Sequence, residues 1–209
     1  SLFKVSLFGA DNVEFYIETI RKFVQENPEL PVYEGAGWEN PFFGKNGPSR
    51  KVLDEICSDK PMLMWSHDKH SLWVNTYVLD LCGIDKNTQV PAGNVIERED
   101  DGTPSGTLRE FAAIALVDSV KPVFNKEHYK KAIEWVQKDF AQYGVTSIMD
   151  PLLDPEDDAI AAIRELNDEG RLICKMRGAL KSSETDSYKH IDEFPKIRED
   201  VDSHMFKIQ

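Results

Sequence analysis

Residues 126–209 constrain the fold more than any other stretch of the 209-residue chain. "NKEHYKKAIEWVQKDFAQYG" predicts a helix with Ala132, Ile133, Val136 and Phe140 as its apolar stripe and Gly144 after its end. "VTSIMD" predicts a β-branched strand. "DPEDDAIAAIRELNDEG" predicts a helix capped by Asp154, with Pro155 at its first position and Gly170 at its close. "RLICKMRGAL" is a second strand, and "SETDSYKHIDEFPKIRE" a helix that bends or breaks before Pro195. "SHMFKIQ" is a third strand. Helix and strand alternating over short connections is the rhythm of a parallel sheet wrapped by helices. A chain that stops on such a strand leaves an edge and an apolar face open. The sequence is therefore expected to be a piece of a longer one.

The region before residue 125 has a different character. A helix is expected from a cap at Asp11 or Asn12 to Asn27-Pro28, with Val13, Ile17, Ile20 and Val24 on one face. "PVYEGAGW" reads as a strand entering a glycine turn, "SRKVLDEICSD" as a short helix begun by Ser49, and "PMLMWS" as a strand. From Ser71, "SLWVNTYVLDLCG" reads as a helix with Leu72, Leu79 and Cys82 near one face and Gly83 as its stop. "GNVIEREDDGTPSGTL" predicts a hairpin about an Asp-Gly turn, followed by a helix over 107–117.

The formal net charge of -12 argues against a nucleic-acid partner and against an anionic membrane surface. No apolar run is long enough to span a bilayer. Cys57, Cys82 and Cys174 are odd in number and widely spaced, which predicts reduced thiols and a cytoplasmic location. The acidic stretches "EREDDG" and "DPEDD" lack calcium-loop spacing and read as a solvated turn and a helix start.

Five strings in order carry a resemblance: "GAGW" at 35–38, "LDEICSDKPMLMWSHDKHSLWVNTYVLDLCGI" at 53–84, "DGTPSGTLRE" at 101–110, "YGVTSIMD" at 143–150 and "FKI" at 206–208. They resemble the amidohydrolase superfamily in its YtcJ-like branch, amidohydrolase family 3. That resemblance implies an α/β fold. Residues 1–125 would be an α/β insertion region over the mouth of a TIM-like (β/α)8 barrel. Residues 126–209 would be a partial barrel segment supplying strands two to four. It implies a metal-dependent parent enzyme that hydrolyses C–N bonds of amide-type small molecules, using one or two divalent, zinc-type metals.

The family's metal ligands include a His-x-His pair. His67, His70, His128, His190 and His204 contain no such pair, so this segment alone is expected to bind no catalytic metal and to be inactive. The resemblance assigns one metal ligand, Lys207, as a carbamate formed by a buried, neutral amine. Strand alternation puts Met205 and Lys207 on the barrel-facing side, and Phe206 and Ile208 toward helices.

"SHDKHSLWVN" at 66–75 has three readings: a metal site, a substrate contact or a capped polar turn. Its Asp68, His70, Ser71, Trp73, Val74 and Asn75 match a family motif, while Lys69 stands where the family commonly has Gly. The resemblance implies that His70 and Trp73 reach a bound substrate, with Trp38 lining the same pocket. The residues themselves equally allow a capped turn and core tryptophans. Glu110 is a further polar contact candidate, and Asp150 either supports a site or caps a turn.

An alternative from another class is a stand-alone regulatory or small-ligand-binding module, since the family includes a protein named as an exoenzyme regulator. A third is an interaction domain that adds its final strand to another chain. A homo-oligomer is compatible with each of these.

Overall fold

The structure, a computed structural model, describes residues 3–182 and 191–209. The chain divides into two compact units, Ser1–Pro122 and Val123–Gln209.

The first unit is built on a six-stranded mixed sheet. Its strands are β1 (Val5–Ser6), β2 (Tyr33–Trp38), β3 (Met62–Ser66), β4 (Ser71–Val74), β5 (Val95–Arg98) and β6 (Pro104–Arg109), in the spatial order β1-β2-β3-β4-β6-β5. β1, β2 and β3 are parallel; β3–β4, β4–β6 and β5–β6 are antiparallel. The helix α1 (Val13–Glu26) starts where the Asn12 side chain accepts the Phe15 N–H, and α2 (Arg50–Asp54) where Ser49 accepts that of Lys51. Two cores flank the sheet. Tyr16, Ile20, Trp38, Leu53, Met62, Met64 and Trp73 form one. Leu63, Leu72, Val74, Val78, Leu79, Leu108 and Ile114 form the other.

That two-sided burial explains the largest departure from sequence expectation. "SLWV" is strand β4, and the helix that follows is only α3 (Thr76–Leu81), capped by Asn75. Successive residues of β4 enter opposite cores, with Leu72 and Val74 on one side and Trp73 on the other. A strand buried on both faces is apolar throughout, and periodicity cannot separate it from a buried helix. The helix expected over 107–117 is likewise shorter. β6 runs to Arg109 between β4 and β5, and only α4 (Phe111–Ile114) and a 3-10 segment, Ala115–Val120, follow.

The second unit holds a three-stranded parallel sheet of β7 (Ser147–Leu153), β8 (Lys175–Leu180) and β9 (Phe206–Ile208), in sequential order. Its helices are α5 (Lys126–Gln142), α6 (Ala159–Asp168) and α7 (Phe194–Asp200). On one face of the sheet Met176, Phe206 and Ile208 pack with Ile133, Ala162, Ile163 and Leu166. On the other face Met149, Arg177 and Lys207 lie side by side in register.

Helix α5 turns a more polar face inward than its apolar stripe predicts. Lys130, Ile133 and Gln137 are its buried residues. The amide of Gln137 makes this tolerable, donating to Arg171 O at 2.8 Å and accepting from Ile173 N at 2.8 Å. Lys130 is matched by Glu169 at 3.1 Å and Glu165 at 3.4 Å.

Helix α6 starts at Ala159, not at Pro155. Asp154 and Asp157 turn their carboxylates onto the N–H groups of Glu156 (2.9 Å) and Ala159 (2.7 Å), local bonds that compete with helix. The expected helix over 183–199 lies partly outside the described residues. In its described part, a 3-10 turn, Ile191–Glu193, gives way to α7, which carries Pro195 in its first turn. Among the described residues no helix is long and apolar enough to cross a membrane.

Candidate functional site

The loop joining β3 to β4 is organised by Asp68. Its carboxylate accepts the Ser66 hydroxyl at 2.6 Å and the His70 N–H at 3.0 Å, and Ser66 Oγ accepts the Ser71 N–H at 2.9 Å. The Ser66 hydroxyl and the His70 amide hold the Asp68 carboxyl below its ordinary value. "SHDKHS" is therefore a capped hairpin loop, and Asp68 caps it without starting a helix.

The two histidines of the loop diverge. His67 Nδ1 lies 3.5 Å from Glu39, and its ring meets Phe8 edge-on. His70 Nδ1 lies 3.0 Å from Glu110 Oε2, at the junction of β6 and α4. Among the described residues no three His, Cys, Asp or Glu side chains assemble as a metal-binding group.

Lys69 has φ of 66°, in the left-handed region that favours glycine. A left-handed non-glycine residue costs about 1–2 kcal/mol. Lys69→Gly relieves that strain. It also adds about 0.5–1 kcal/mol of glycine entropy and loses the ammonium–indole contact with Trp65, about 0.5–1 kcal/mol at an exposed site. The terms nearly cancel, so Lys69→Gly is expected to change the unfolding free energy by less than about 1 kcal/mol in a urea titration. A larger change in either direction would show that the loop has a different backbone.

The two tryptophans expected at the substrate are enclosed. Trp38 and Trp73 are fully buried. The indole N–H of Trp38 donates to Met64 O at 2.7 Å, and that of Trp73 to Ser49 O at 3.0 Å. Both belong to one aromatic group with Phe43. Each indole N–H is thus already paired inside the core. Of the three residues named for that role, His70 is accessible, with 53% of its side-chain surface exposed. Asp150 caps a turn by accepting Leu152 N–H at 3.0 Å.

Lys207 stands on the face of β9 opposite buried Phe206 and Ile208. Its side chain is 47% exposed, with Nζ 2.7 Å from Asp202.

Sequence reasoning reached Glu110 only as one acid among many. What marks it is its backbone: φ is 67° and ψ 164°, a region almost confined to glycine. No local signal in "LREF" predicts that.

The sequence profile of the amidohydrolase family matches residues 6–207, and the chain belongs to that family. It is 27% identical over 156 residues to the exoenzymes regulatory protein AepA of Pectobacterium carotovorum subsp. carotovorum, covering 73% of this chain and 33% of that protein. It is 30% identical over 112 residues to N-substituted formamide deformylase of Arthrobacter pascens, covering 52% of this chain and 21% of that enzyme. The crystal structure of a metal-dependent hydrolase from Pyrococcus horikoshii OT3 superposes on 99% of the chain with a TM-score of 0.61 at 21% identity, a likeness of fold covering 38% of that structure. The chain thus spans a third or less of the length of these two curated relatives.

Proposed function

We propose that the whole protein is a metal-dependent amidohydrolase acting on C–N bonds of amide-type small molecules, to which this chain contributes two parts. The match of the family profile over residues 6–207 carries the reading. In it, the three-stranded unit supplies strands two to four of a (β/α)8 barrel, and the six-stranded unit is an α/β insertion in the barrel's chain. The sequential parallel order of β7, β8 and β9 supports this.

Lys207 is then the one residue of this chain offered to the metals, as a carbamate. Its position supports this only in part: it faces away from the helices as a barrel-facing lysine must, yet pairs with Asp202. A metal there would supply an activated water and polarise the carbonyl. The chain's own residues hold the strand and aim the amine.

The test uses the full-length protein loaded with zinc or manganese and offered N-substituted formamides. Hydrolysis abolished by a chelator is expected. With 13C-bicarbonate, a carbamate signal is expected that disappears in Lys207→Ala. Turnover unaffected by chelator would sink the metal reading, and a carbamate surviving Lys207→Ala would sink its assignment.

A second reading, a regulatory protein that kept the fold, is favoured by the likeness to the exoenzymes regulatory protein over 73% of the chain. Absence of hydrolysis with every metal and amide tried would favour it.

A further inference from the structure

His70 is held from several directions at once. Its N–H is fixed by Asp68 at 3.0 Å, its C=O accepts the Glu110 N–H at 2.9 Å, and its Nδ1 meets the Glu110 carboxylate at 3.0 Å. The ring of Phe111 lies 5.7 Å away, tilted by 55°. Phe111 is 73% exposed, so its ring is open to a ligand. The backbone on both sides of this contact is strained: Lys69 precedes His70 with φ of 66°, and Glu110 has φ of 67°. Strain of this kind persists only where the surroundings over-determine it, and it gathers at ligand clamps.

With Nδ1–H given to the carboxylate, the neutral ring carries its lone pair on Nε2. Nε2 has no protein partner among the described residues.

We infer that Glu110 is a positioning residue that fixes His70 with Nε2 outward beside Phe111, as an acceptor for the N–H of a secondary amide whose apolar substituent lies on the Phe111 ring. The inference rests on the proposed amide-type substrate and adds to it a preference for secondary over tertiary amides. The acceptor finds a donor in the former, whereas the N-alkyl group of the latter would cover it without supplying one.

The charged groups facing His70 are Glu110 from the β6–α4 junction and Asp68 from its own loop, while Lys69 directs its ammonium at Trp65. The Glu110 carboxylate raises the imidazole above the ordinary histidine value, and Asp68 adds to this. The pair therefore contributes stability fully below the unfolded histidine value and loses it as pH rises through the raised one.

The experiment follows acylation of His70 by diethyl pyrocarbonate, which attacks the neutral imidazole, in the full-length protein by peptide mapping across pH. His70 is expected to titrate above the ordinary histidine value, and in Glu110→Gln to fall back toward it. Glu110→Gly is expected to raise Tm by relieving the backbone while lowering the His70 titration as Glu110→Gln does. A merely structural role would not separate those two readouts.

N-benzylformamide is expected to slow acylation of His70 severalfold, and N-benzyl-N-methylformamide to leave it unchanged, with protection weakened in Glu110→Gln. Unaltered titration in Glu110→Gln, or equal protection by the two formamides, would overturn the inference. Absence of protection would also overturn it, even alongside hydrolysis. Protection without hydrolysis leaves the inference standing and removes only the hydrolase reading.

Discussion

Asn75→Ala is expected to lower the stability of the first unit by about 4 kcal/mol, since it strips several buried backbone groups of their partner at once. Asn75 is fully buried. Its Oδ1 accepts Met62 N–H at 3.2 Å and Val78 N–H at 3.2 Å. Its Nδ2 donates to Cys57 O at 3.0 Å and Lys60 O at 2.8 Å. One amide thereby ties β3, the loop after α2 and the start of α3 together. Each group left unsatisfied in the interior costs about 1–3 kcal/mol, and loss of an N-cap about 1 kcal/mol, with relaxation and entering water returning part of the sum.

Asn75→Asp separates this account from simple loss of packing. The second carboxylate oxygen then faces two carbonyl oxygens, and burial without a donor raises the folded-state pKa above the unfolded carboxyl value. The neutral acid still offers one O–H. The penalty is therefore largest well above the unfolded carboxyl value and shrinks as pH falls toward and through it. Urea titrations at several pH values check this against the parent protein at each pH. A variant penalty independent of pH would show that the Nδ2 contacts do not carry the effect.

Gly106→Ala is the second large effect, expected at about 4 kcal/mol from backbone strain and overpacking together. Gly106 sits inside β6 with φ of 108°. An added Cβ would lie 2.6 Å from Arg50 Cβ and 2.7 Å from Val74 O. Arg50 cannot retreat without loss, because its guanidinium bonds Thr76 at 3.1 Å, Glu99 at 2.9 Å and Pro104 O. Gly83 is the control. It also has positive φ, 65°, but an added Cβ meets nothing within 4 Å. Gly83→Ala should cost only the left-handed strain, about 1 kcal/mol. Equal losses at the two positions would mean that close approach contributes nothing at Gly106.

The predictions differ in what made them visible. The caps at Asn12 and Ser49, the strand at "PMLMWS" and the hairpin about "DDG" are local chemistry, readable from a few neighbouring residues. Strand β4 is not, because alternate burial in two cores leaves no polar face to mark it. The same holds for Lys130 and Gln137, polar residues on the inner face of α5 whose partners lie more than thirty positions away. Trp38 and Trp73 resembled site residues by motif, yet each closes its indole N–H on a carbonyl inside the core. His70 and Glu110 stand forty positions apart and meet because β4 and β6 pair with Ser71 opposite Arg109.

By itself the sequence determined the alternation of elements, most of their starts and stops, and the family, because these rest on caps, turns and strings of neighbouring residues. The tertiary structure alone decided which aromatics are enclosed, which face of α5 turns inward and which acid meets His70. Those outcomes depend on sheet order and register, which bring distant residues within a few ångströms and supply the partners that make a buried amide or a strained backbone tolerable.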